Sequence, residues 1–197
     1  MRPDLNIIQQ WIAADSQVLD LGCGDGELLA YLQQHKRVQG LGLEIERQQM
    51  IKCISKGVPV VQQDLNNGLG NFTDQSFDCV VMTQSFQQMD RPDEVLDELV
   101  RVGKEVIITF PNFAHWTARS YLGFRGKMPM SKFLPVMWYD TPNIHLCTFK
   151  DFEQLCCERN VKILDRLVVD SLHQSHWFLN LMPNLLGEIA IYRLTAL

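Results

Sequence analysis

The 197-residue chain has no apolar run near the roughly 18 residues that a membrane span needs, and no extended run of lysine or arginine. Its densest basic stretch, residues 119–132, is broken by aromatics and glycines. At a net charge of −5 it also lacks the electrostatic footprint of a nucleic-acid binder. Membrane and nucleic acid are therefore excluded as expected partners. The six cysteines form no C-x-x-C pair and follow no regular spacing, so reduced, mostly buried thiols are expected. The opening MRPDLNIIQQW sets an acid and an amide ahead of any apolar run, unlike a signal peptide. A cytoplasmic protein is expected. Hydrophobic residues at 46% and charged residues at 21% are globular proportions, and the length suits one domain over 1–197 with a full core.

What is present is an alternation. Apolar, β-branched runs predict strands over 16–21, 38–43, 58–63, 77–83 and 105–110. Helical spacing predicts helices over 27–34, 47–56 and 92–102 between them. The 77–83 run is almost wholly apolar, as a strand buried on both faces must be. Repeated strand-then-helix units give an α/β fold, a parallel sheet wrapped by helices on both faces through right-handed crossovers. A further helix is expected over 149–159, with Thr148 as its N-cap and Asp151 three residues on. Strands over 163–169 and 188–194 close the chain, joined by a loop over 171–187 with no continuous helical signal.

Residues 111–147 break the pattern, with Trp116, Tyr121, Phe124, Phe133, Trp138 and Tyr139 set among four prolines and two glycines. An irregular insertion of that length is expected to be a lid or a partner surface. The alternative is a peripheral layer packing its aromatics on the sheet.

The strongest local signal is VLDLGCGDGELL at 18–29, a strand that ends in Gly22, Gly24 and Gly26 and passes at once into a helix. Glycines there let the backbone turn tightly and let a ligand touch the main chain. A dinucleotide fingerprint needs glycine where this chain has Glu27, and the G-K-[ST] of a phosphate loop is absent. A nucleoside without a diphosphate is the expected ligand. Glu44 ends the second strand about 20 residues on, where an acid accepts ribose hydroxyls. Asp64 ends the third, placed for an adenine amino group, and Thr83, Gln84 and Ser85 end the fourth over the same edge. One strand-end acid is an ordinary turn former; polar strand ends on three consecutive strands, two of them acids, point to a site.

These residues resemble the class I S-adenosylmethionine-dependent methyltransferase superfamily. The resemblance covers about residues 16–110 and implies a Rossmann-like fold whose mostly parallel seven-stranded sheet ends in a C-terminal antiparallel hairpin. It implies that Asp20 orients the methionine end of S-adenosylmethionine, flanked by Gly22, Cys23 and Gly24. Glu44 and Ile45 would then meet the ribose, and Asp64, Leu65 and Gln84 the adenine side. S-adenosylhomocysteine would bind as product or inhibitor. More narrowly, LDLGCGDGELL at 19–29, VMTQ at 81–84, IITFPNF at 107–113 and WYDTPNIH at 138–145 together resemble the MetW family of methionine biosynthesis proteins. That resemblance implies a bacterial cytosolic protein working with a homoserine O-acyltransferase, and it sets Trp116, Trp138, Tyr139 and His145 as candidates for contact with a partner or substrate.

Two functions follow. One is a methyltransferase-like subunit that binds the cofactor and assists or regulates the acyltransferase. The other is an active methyltransferase on a small molecule. Many small-molecule methyltransferases of this class carry a histidine shortly after the fourth strand, where this chain has Gln88, and the usual Pro-Gly-Gly turn before the fifth strand is replaced by Val102, Gly103 and Lys104. The acceptor side is instead rich in Trp, Tyr, Phe, Met and Arg, as protein interfaces are, which favours the subunit. His115 and His145 bracket the insertion and could face the cofactor's methyl group. His173 and His176 lack further ligands at a metal spacing, so no metal is expected.

Overall fold

The computed structural model describes residues 3–130, 137–141, 145–169 and 181–197. Seven strands form one sheet: β1 (Gln17–Leu21), β2 (Gln39–Glu44), β3 (Val60–Gln62), β4 (Phe77–Thr83), β5 (Gly103–Pro111), β6 (Val161–Val169) and β7 (Ile189–Ala196). Their order is β3-β2-β1-β4-β5-β7-β6. The first five run parallel; β7 pairs antiparallel with both β5 and β6. The mostly parallel sheet with a C-terminal antiparallel hairpin is the expected architecture.

Strand alternation sorts the core into two layers. On β4, Val80 and Met82 face one side with Leu19, Leu21, Phe110 and Tyr192, while Cys79 and Val81 face the other with Val18, Ile107 and Ile191. The first side is covered by α4 (Pro92–Val102) and α6 (Phe149–Glu158), through Leu96, Leu99, Phe149 and Phe152. The second is covered by α1 (Pro3–Trp11), α2 (Glu27–Lys36) and α3 (Arg47–Ser55), whose Leu5, Ile8, Leu28, Leu29, Leu32 and Cys53 are buried. The Thr148 hydroxyl accepts from the Asp151 amide at 3.2 Å, as an N-cap should.

Two expectations are corrected, and one helix was not expected at all. The N-terminal α1 went unnamed, although Leu5, Ile8 and Ile12 recur at helical spacing and are buried. Residues 111–147 are not irregular throughout: α5 (Trp116–Arg125) is a helix, and β5 extends to Pro111. Within the expected loop 171–187, the described part holds the short α7 (Pro183–Leu186). His173 and His176 lie outside the described residues, as does Phe133.

Helix α5 buries none of its side chains, which is why no apolar periodicity announced it. Trp116, Leu122 and Phe124 are all exposed, Phe124 to 91%. No helix among the described residues is long and apolar enough to cross a membrane.

Candidate cofactor site

The carboxyl ends of β1, β2, β3 and β4 lie side by side, with Leu21 in register with both Leu43 and Met82, and Glu44 with Gln62. Two adjoining cavities open there. One, of about 540 Å³, is lined by Gly22, Glu44, Ile45, Asp64, Leu65, Asn66, Gln84, Ser85, Gln88 and Met89, among others. The other, of about 140 Å³, is lined by Leu5, Asp20, Gly22, Cys23, Gly24, Asp25, Glu27, Leu28 and Thr83. Gly22 and Thr83 belong to both. All nine cofactor-side candidates (Asp20, Gly22, Cys23, Gly24, Glu44, Ile45, Asp64, Leu65 and Gln84) line this pair of cavities.

The loop between β1 and α2 is shaped by its glycines. Gly22, Gly24 and Gly26 all take positive φ, at 69°, 56° and 73°, a region that side-chain-bearing residues disfavour. A Cβ on Gly22 would also come within 3.1 Å of the Ser85 hydroxyl. The Gly22 and Cys23 amides both donate to the Leu43 carbonyl, fixing the loop on β2. Gly42 on β2 gives that loop room: a Cβ there would lie 2.5 Å from Cys23 Sγ. Gly42→Ala is expected to cost about 1–3 kcal/mol by overpacking, and adding Cys23→Ala should restore most of the lost melting temperature. A double variant melting no higher than Gly42→Ala would show that the crowding lies elsewhere.

Glu44 is buried, and its carboxylate is already held by main chain. Oε1 accepts from the Ile45 amide at 2.8 Å and the Glu46 amide at 2.9 Å; Oε2 accepts from the Gly24 amide at 2.8 Å. The acid that the sequence assigns to a ribose alone thus also ties the glycine loop to the turn after β2. Asp64 caps a single 3-10 turn, Leu65–Asn67, by accepting from the Asn66 amide at 3.0 Å. It stands two residues beyond β3, which ends at Gln62 rather than at residue 63. Gln84 sits in the left-handed region at φ 56°, with its amide donating to Thr109. Side-chain-bearing residues held there store strain, which clusters at functional sites.

The electrostatics are one-sided. Asp20, Asp25, Glu27, Glu44 and Asp64 line the cavities, and among the described residues no lysine or arginine does. Asp25 pairs with Lys56 at 2.6 Å, and that hydrogen bond lowers its pKa. Burial pushes the Cys23 thiol up, which disfavours the thiolate that a nucleophile needs. Its sulfur lies 3.8 Å from that of Cys53. No group of residues suited to a metal ion occurs among the described residues.

The remaining candidates stand apart from the cavities. Trp138 and Tyr139 meet edge to face at 5.6 Å and are 72% and 71% exposed; with Trp116, they line neither cavity. At that exposure Trp138 and Tyr139 themselves do not pack on the sheet. His145 hydrogen-bonds the segment after β4, its amide donating to Gln87 O at 3.0 Å. His115 is buried at the start of α5, bonded to Thr117 at 2.7 Å, and burial lowers its pKa; it lines neither cavity. Leu5, Asn66 and Met89 also line the site and were not foreseen. Leu5 was readable only by recognising α1.

The model of the family described as "Methionine biosynthesis protein MetW" matches residues 2–194. The chain belongs to the MetW family. A curated relative, the bifunctional methionine biosynthesis protein MetXA/MetW of Rhodopirellula baltica, is 34% identical over 176 residues, covering 85% of this chain. This MetW-family chain spans only 28% of that relative's length. Among solved structures, a putative S-adenosylmethionine-dependent methyltransferase from Listeria monocytogenes aligns with a TM-score of 0.70 at 13% identity, over 99% of this chain and 97% of that one. The [4+2]-cyclase SpnF aligns with a TM-score of 0.67 at 16% identity, over 98% and 80%. Identities this low speak for the fold alone, and a cyclase beside a methyltransferase shows that the fold does not fix the reaction.

Proposed function

We propose that the paired cavities bind S-adenosylmethionine, with S-adenosylhomocysteine as product or inhibitor. We further propose that the MetW-family chain assists or regulates a homoserine O-acyltransferase. The observation that carries the cofactor reading is the lining: carboxylates at three strand ends and a glycine loop, with no lysine or arginine among the described lining residues. A pyrophosphate would find no positive partner among the described lining residues. A ligand bearing a sulfonium and an ammonium would find acids along its length. Asp20 and the glycine loop suit the methionine end, Glu44 the ribose, and Asp64, Leu65 and Gln84 the adenine. The group supplies an activated methyl when bound; the chain's own part is to hold and orient it.

The partner reading is supported by the relative whose single chain bears both the MetXA and the MetW name, and by the exposed aromatics of α5 and of Trp138 and Tyr139. Large rigid aromatics left in water are what interfaces use as anchors.

The test is a melting experiment with S-adenosylmethionine, S-adenosylhomocysteine and NAD. Saturation at about 100 times Kd adds roughly 2.7 kcal/mol. At about 2–4 °C per kcal/mol for this chain length, the first two ligands should raise the melting temperature by about 5–11 °C, and NAD should not. Flat curves with both sulfur ligands at millimolar concentration would sink the cofactor reading.

A further inference from the structure

Two hydrogen-bond chains leave opposite lips of the larger cavity and meet at one residue. On one lip, Asp64 accepts from the Asn66 amide at 3.0 Å, and Asn66 Oδ1 accepts from the Asp90 amide at 3.0 Å. The Asp90 carbonyl then accepts from the His145 ring Nε2 at 3.3 Å. A carbonyl only accepts, so that nitrogen carries its hydrogen. On the other lip, the carbonyl of the strained Gln84 accepts from the side-chain amides of Gln87, at 2.9 Å, and Gln88, at 3.1 Å. The Gln87 carbonyl accepts in turn from the His145 amide at 3.0 Å.

The circuit continues outward. Two residues past His145, the Cys147 carbonyl accepts from the Phe113 amide at 3.0 Å, close before α5. Residues 145–147 therefore join both lips of the cavity to the root of the helix that exposes Trp116, Leu122 and Phe124. Helix α5 buries no side chain fully, and only Ala118, Ser120 and Tyr121 along it are half-buried, so its root is a main point of attachment among the described residues.

We propose that His145 is a positioning residue that couples occupancy of the cavity to the order of α5. The inference rests on the cofactor reading above and deepens it, naming how the site reports its state to the partner face. A ligand that engages Asp64 on one lip and the Gln84 turn on the other fixes both ends of the circuit in one arrangement. The 145–147 segment is then held at both of its bonds to the rim, and the root of α5 is ordered through Phe113. Coupling of this kind is an ordering effect shared between two sites, and it needs no large displacement.

Amide hydrogen exchange on the full chain reads this directly, with S-adenosylhomocysteine as the probe and calorimetry reporting saturation. In the wild type, the amides of Phe113, His145 and α5 should gain about tenfold or more protection beyond that gained by the β6–β7 hairpin. That hairpin lies at the far edge of the sheet and reports general stabilisation. His145→Ala keeps the main-chain bond to Gln87 and removes the ring bond to Asp90. It should bind the probe within about fivefold of wild type while losing the excess protection of α5. His145→Gln, with an amide that can reach a carbonyl, should restore part of it. A merely structural histidine predicts otherwise: a lower melting temperature and faster exchange in His145→Ala, with the ligand-dependent difference intact. That outcome overturns the proposal, as does a saturated wild type whose α5 gains no more than the hairpin. A wild type that fails to bind the probe overturns the cofactor reading and this inference with it, and calorimetry tells that case apart.

Discussion

Glu44→Ala is expected to injure the empty protein as well as its ligand binding. Glu44 is only 8% exposed, and its carboxylate accepts from the Gly24, Ile45 and Glu46 amides. Truncation leaves three donors facing a small cavity, each costing about 1–3 kcal/mol if unmet. Water admitted by the cavity will meet some of them, so a net loss of about 2–4 kcal/mol is expected. For a chain this long the melting temperature should then fall by about 5–15 °C. Ribose hydroxyls bonded to a charged acceptor contribute about 1.5–3 kcal/mol each, so S-adenosylhomocysteine affinity should fall at least about tenfold and up to a hundredfold. Glu44→Gln separates the two tasks. Its remaining oxygen can serve Ile45 and Glu46, but its amide nitrogen meets the Gly24 amide donor to donor. It should regain part of the thermal stability and little of the affinity. A Glu44→Ala protein that melts and binds like the wild type would remove Glu44 from both tasks.

That double duty marks the limit of what the sequence could disclose. Glu44 was legible as a strand-end acid because the β2 run, the glycine loop and the spacing between them are all local. That its oxygens are bonded to Gly24, Ile45 and Glu46 is a tertiary fact, set by how the loop folds back onto β2. The sheet was legible for a similar reason: β4 is a nearly unbroken apolar run, and its two-sided burial leaves little choice of partner. The helices read well where they bury a face, as α4 does through Leu96, Leu99 and Val102. Helix α5 buries nothing, so its aromatics and its Gly123 read as irregular. The opening α1 buries only Leu5 and Ile8, with Ile12 just beyond its end, a face too short to stand out beside the longer runs that follow. The two residues that His145 bonds, Asp90 and Gln87, lie 55 and 58 residues before it in sequence, and no local pattern announces such a contact.

Trp138→Ala is expected to separate the partner reading from its rivals. With Trp138 72% exposed and its described ring contact only to Tyr139, its loss empties no core site. The melting temperature should therefore hold within about 1–2 °C, unlike the several kcal/mol lost when a buried aromatic is truncated. If the residue anchors the acyltransferase, binding should weaken by about 2 kcal/mol or more, roughly thirtyfold, while S-adenosylhomocysteine affinity stays within a factor of a few. A large ring with two rotatable bonds loses little entropy on docking and excludes much water, so one such residue can carry an effect of that size. If the insertion instead closes over a small methyl acceptor, partner binding should survive, and methyl transfer to a cell extract should fall. The measurement is a titration of wild type and variant against the acyltransferase, paired with melting curves and a methyl-transfer assay on the same preparations. Retention of full acyltransferase affinity by Trp138→Ala would move the interface off this part of the insertion and leave α5, with Trp116 and Phe124, as the face to test in the same way.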